Sequence, residues 1–143
     1  MSANIEPIYP VIPKVSMCKV LTADATASKN HDGTSSGAVL LFTAGANGSR
    51  IDSVKAMPLG TNAATVLRLF INNGQDPTVA TNNSLFKEIS SASNTISETA
   101  AVTELKLITP DDLLCLPPNY RLYIVVGTTI VAGLQVTAIG GDY

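Results

Sequence analysis

The second half of the chain is a succession of short alternating segments broken by turn residues, and it ends in Leu134-Gln-Val-Thr-Ala-Ile-Gly-Gly-Asp-Tyr143. Alternation of period two sends successive side chains to opposite faces of a strand, so each segment buries one face and wets the other. The same grammar extends back through the chain. Residues 15–26 alternate loosely, 38–43 form a short apolar run, and 50–57, 65–71, 85–89, 101–108, 120–126 and 134–139 follow at strand length. Asn47-Gly48, Gly60-Thr61-Asn62, the stretch 72–77 and Pro117-Pro118-Asn119 punctuate them with residues suited to turns. Asn47-Gly48 reads as a hairpin turn. No segment sustains the 3.6-residue period of an amphipathic helix, and no repeat of 20–50 residues is evident. These features predict an all-β fold: one antiparallel β-sandwich of about eight strands. Jelly-roll-like and immunoglobulin-like strand orders both fit.

One domain accommodates 143 residues, and a domain of that length buries roughly two thirds of the surface its unfolded chain exposes. Neither metal nor disulfide is needed to explain folding. Charged residues make up 14% of the chain, below the roughly 25% of an average domain. Ser, Thr and Asn together number 37, so the surface is hydroxyl and amide rather than ionic. A net charge of −2 without clustered Lys or Arg gives no footprint for nucleic acid. No apolar run approaches the roughly 20 residues of a membrane span, and no secretion signal opens the chain, so a soluble protein with no membrane partner is expected. Cys18 and Cys115 each sit beside apolar residues and read as small buried hydrophobes rather than a disulfide.

Residues 1–14 differ from the body at 15–143. Pro7, Pro10 and Pro13 stand among Ile5, Ile8, Tyr9, Val11 and Ile12, a spacing that forbids helix and disfavours an interior strand. An extended N-terminal arm is predicted, able to reach about 45 Å when fully stretched. It either lies over its own sheet or passes to a neighbour, and Ile5, Tyr9, Val11 and Ile12 are the candidate interface residues.

Catalytic candidates are few. His31, the one histidine, stands in a polar stretch and reads as an ordinary loop residue. Asp111 and Asp112 follow Thr109-Pro110 and read as first-turn residues capping a short helical turn across 111–115 rather than an acid and base pair. Asn72-Asn73-Gly74-Gln75-Asp76 offers oxygen ligands without the spacing of an EF-hand. Phosphate-loop, dinucleotide, C-x-x-C and nucleophile-elbow motifs are missing from the sequence. The reading is a non-enzyme with no cofactor and no metal. Phe42, Phe70, Phe86, Tyr120 and Tyr123 could stack on sugars, but at strand spacing they read as core.

Four stretches carry a resemblance: Leu41 to Asp52, Leu59 to Gly74, Leu116-Pro-Pro-Asn-Tyr-Arg-Leu122, and Val136-Thr-Ala-Ile-Gly-Gly-Asp-Tyr143. In this order they resemble small virion structural proteins of tailed bacteriophages, over residues 38–143. The resemblance implies a particle component made in the host bacterial cytoplasm and names no catalytic residue. Joined to the apolar arm, it leads to the expectation of a capsid decoration or cement protein on the virion surface. Its expected partners are the major capsid protein and further copies of itself, a trimer being the oligomer the resemblance favours. Tail, neck or baseplate placement, and a carbohydrate-binding adhesion domain, are the alternatives.

Overall fold

The computed structural model describes residues 9–143, and Ile5 lies outside them. In chain order the elements are β1 (Ile12–Val20), α1 (Ala27–Asp32), β2 (Val39–Thr43), β3 (Ser49–Pro58), β4 (Thr65–Asn72), β5 (Asn83–Ser91), β6 (Leu105–Ile108), β7 (Leu114–Leu116), β8 (Arg121–Val126) and β9 (Leu134–Asp142). Short 3-10 turns occupy Ala80–Asn82 and Pro110–Asp112.

Two antiparallel sheets face each other. One runs β1-β9-β3-β6, with β7 on the same edge of β3 as β6; the other runs β2-β8-β4-β5. The pairing is nested: β1 with β9, β2 with β8, β3 with β6 and β7, and β4 with β5. A long antiparallel hairpin rolled into two sheets produces this first-with-last order, which is that of a jelly roll. Of the connections that link successive strands, most therefore pass from one sheet to the other. Asn47-Gly48 belongs to such a connection. Gly48 takes φ +89° and its N–H donates to Gly45 O, but β2 and β3 lie in opposite sheets, so the turn is an arch rather than the hairpin its residues suggest.

Period-two patterning supplies the core. Leu134, Val136 and Ala138 of β9, Leu122, Ile124 and Val126 of β8, and Leu67 and Leu69 of β4 point between the sheets, joined by Ile51, Val54 and Ala56 of β3. A bulge at Asp52 restores the phase of β3, since Ile51 pairs with Gly140 and Ser53 with Ile139. The edge of β3 is completed in two pieces, β6 and β7, with the turn Pro110–Asp112 between them. That turn carries the expected cap: Thr109 N–H donates to Asp112 Oδ2 at 2.8 Å, and Asp112 N–H donates to Thr109 O. Leu114 and Cys115, expected to continue the turn, instead form β7 with Leu116.

The stretch 27–32, expected as loop, is a six-residue helix that Gly33 ends at φ +79°. A Cβ at Gly33 would fall 3.0 Å from the Phe70 ring, so the segment lies directly on the outer face of β4.

Candidate interaction surface

Strand β1 opens at Ile12, inside the stretch read as arm, and forms the edge of its sheet beside β9. Its edge position explains how Pro13, which has no N–H to give a second neighbour, is tolerated. From Val11 onward the chain is bound to its own domain, because Val11 N–H donates to Asp142 O at 2.9 Å.

Two glycines make that seat possible. A Cβ at Gly141 would lie 2.5 Å from Pro10 Cβ, and one at Gly140 would lie 2.1 Å from Arg50 O. Only glycine lets the Tyr9-Pro10 backbone and β3 approach β9 so closely. Next to this contact Arg50 Nε donates to Asp52 Oδ1 at 2.8 Å.

The C-terminal Asp142 then clamps the corner. Lys14 Nζ donates to its Oδ2 at 3.1 Å and to Thr43 O at 2.5 Å, and lies 4.7 Å from the centre of the Phe42 ring. The Ser49 hydroxyl donates to Asp142 Oδ1 while accepting Gly45 N–H at 3.0 Å. Burial pushes the Asp142 carboxyl up, but the Ser49 hydroxyl, Lys14 and Gly45 N–H outweigh it and hold the group below the usual carboxylate range. One cluster thus ties β1, β2, β3 and β9 together.

The orientation of β1 is the unusual feature. Lys14, Ser16, Cys18 and Val20 turn inward, whereas Pro13, Val15 and Met17 turn to solvent. Val15 is 60% exposed and Met17 68%, and they continue the line of Tyr9 at 67% and Val11 at 78%, whereas Ile12, 60% exposed, has the phase of Lys14. Ile139, directly opposite Val15 in the ladder, widens the strip onto β9. Strands that face water normally place polar residues outward, so β1 is inverted over its first half. Tyr9 and Val11 are thus brought together with Val15, Met17 and Ile139. Sequence reasoning assigned the latter three to the body, although the spacing of Pro13, Val15 and Met17 against Lys14 and Ser16 carried the signal.

Elsewhere the groups singled out in the sequence are occupied locally. His31 stands on α1 rather than in a loop, its Nδ1 3.1 Å from Ala27 O and its Nε2 3.9 Å from Glu88. In the 72–78 loop Asn72, Asn73 and Asp76 each accept an N–H two residues ahead, as Asx turns do. Among the described residues no cluster of three His, Cys, Asp or Glu could hold a metal ion, and no helix is long and apolar enough to cross a membrane. The two cysteines are free. Cys18 is partly buried, which pushes its thiol up to about 11. Cys115 is exposed, correcting the expectation of burial: in β7 the flanking Leu114 and Leu116 take the inward positions and Cys115 points out, 3.7 Å from the Tyr143 hydroxyl. Phe42 is core, Phe70 is buried on the opposite face of its sheet, and Phe86 is exposed beside a bulge in β5. No protein-family model matches the chain, and comparison with curated proteins and with solved structures likewise finds no match.

Proposed function

We propose that the chain is a structural component of a tailed-bacteriophage particle, a decoration or cement protein that sits on the capsid surface and ties neighbouring capsomers together. The observation that carries this reading is the inverted half of β1, an apolar strip held outward along one edge of a sandwich that is poor in charge. Each large side chain of the strip contributes about 1.5–3 kcal/mol of transfer free energy when covered, before ordering costs. Multiplied over the copies of an icosahedral shell, a modest contact becomes a large stabilisation of the particle. The resemblance of residues 38–143 to virion structural proteins supports the setting, with the major capsid protein as partner and a trimer as the assembly.

Immunogold labelling of purified phage particles with antibody to this chain tests the placement. Gold spread over the heads is the expected result. Gold confined to tail, neck or baseplate overturns the cement reading, and specific signal on a glycan array transfers the strip to an adhesive role.

A further inference from the structure

A second feature lies on the outer face of the other sheet. Arg68 alternates with the inward Leu67 and Leu69, so its side chain points away from the core, yet it is only 9% exposed. Its guanidinium lies over Gly127, where a Cβ would stand 2.8 Å from Nη1, and glycine alone leaves that space. Nε donates to Glu88 Oε1 at 2.7 Å, from the directly opposite position on β5. Among the described residues neither Nη nitrogen donates to an acceptor, and neither is sealed from solvent. A groove of about 570 Å³ opens over Arg68, walled by Ala64, Val66, Ala92 and Gly127, with Ser90 at its side.

A guanidinium on a mostly buried stem, with an unused planar fork, is matched by a planar two-oxygen acceptor, because two parallel N–H···O bonds satisfy both Nη groups at once. Glu88 already balances the charge of Arg68 and no second cation lines the groove, which favours a monoanion over a dianion. Ala64, Val66 and Ala92 give the groove an apolar side suited to a hydrocarbon stem, beside the hydroxyl residues Thr65, Ser91 and Thr128. We propose that this groove binds a carboxylate carried on a short apolar stem, held by Nη1 and Nη2 of Arg68. The site is independent of the β1 strip, being on the opposite sheet.

Amide chemical-shift titrations of the full chain with acetate, butyrate and inorganic phosphate test it. The expected result is saturable shifts at Ser90, Ser91, Gly127 and Thr128, with butyrate tighter than acetate by roughly fourfold per buried methylene and phosphate the weakest. Arg68→Lys removes the fork and should abolish saturation. Ala92→Leu, at an exposed position, fills the groove without touching Arg68 and should abolish it in a chain of unchanged melting temperature, so the test survives a poorly folding Arg68 variant. Phosphate binding as tightly as butyrate, shifts that persist in either variant, or no saturable shift would overturn the site. An N-acetyl, α-amidated glutamate distinguishes the source: binding equal to butyrate assigns a side chain of a neighbouring protein, and binding by butyrate alone assigns a free small acid.

Discussion

The two sheets of this jelly roll treat their outer faces differently. On β4 the outward Phe70 is fully buried, because the chain covers that part of the face with Gly33 at the end of α1. On β1 the outward Val15 and Met17 are left bare, although they are as apolar as the residues covered on the other side. A polypeptide able to roof one face and leaving the other uncovered has, on this account, left the second for another molecule. Apolar residues pointing outward from a sandwich thus have two meanings, and only the covering segment tells them apart.

The sharpest way to break this comparison is to truncate one residue on each face. Phe70→Ala should cost about 3–5 kcal/mol in urea unfolding, as a core deletion does. Met17→Ala should stay within about 0.5 kcal/mol, the range of an ordinary surface change. Equal losses would mean that β1 is packed in the free protein and is not an open surface. Next in size, Gly140→Ala should cost about 1–3 kcal/mol by overpacking, since its new methyl would meet Arg50 O. Loss of ordered amide signals from β1 and β9, with those of β4 and β8 kept, would show that the bare face depends on that close approach.

Asp142→Asn addresses the clamp that holds β1 in its inverted orientation and should destabilise by about 1–2 kcal/mol at neutral pH. Because the folded carboxyl titrates below its unfolded value, its contribution is complete above about pH 4 and is lost as pH falls through the folded value. The variant should therefore show a flatter loss of stability below about pH 4 than the parent; parallel curves would remove Asp142 from the acid response. The smallest effect has the opposite sign. Leu113 sits in the left-handed region at φ 49° and is 78% exposed, so Leu113→Asn should stabilise by up to about 1 kcal/mol, measured as a raised melting temperature.

Much of the fold was legible in the sequence because strand patterning is local. The segments 50–57, 65–71 and 120–126 fall within a residue or two of β3, β4 and β8, where alternation and flanking turn residues coincide. The elements missed are those that tertiary contacts decide. Helix α1 has five polar residues after Ala27 and no apolar period, and it is helical because Gly33 ends it and the sheet beneath it accepts it. Strand β7 is three residues long and exists only as the second half of an edge against β3. The jelly-roll order was unreadable, since similar strands carry no label for their partners. At the candidate surface Tyr9, Val11 and Ile12 drew notice through the prolines around them, whereas Val15 and Met17 looked like ordinary strand residues until β9 fixed which way β1 faces. Arg68 gave no signal, because its burial depends on Gly127, which is remote in sequence.

On the proposed function the bare face of β1 is the contact surface. On the proposed capsid role, phage heads lacking this chain can be sedimented with the wild type or with Val15→Glu/Met17→Glu, a pair of exposed changes that should leave the unfolding midpoint unchanged. The account predicts that the wild type co-sediments at saturable stoichiometry and that the folded double variant stays in the supernatant. Equal co-sedimentation of the two would contradict it and separate the inverted strand from the function of the protein.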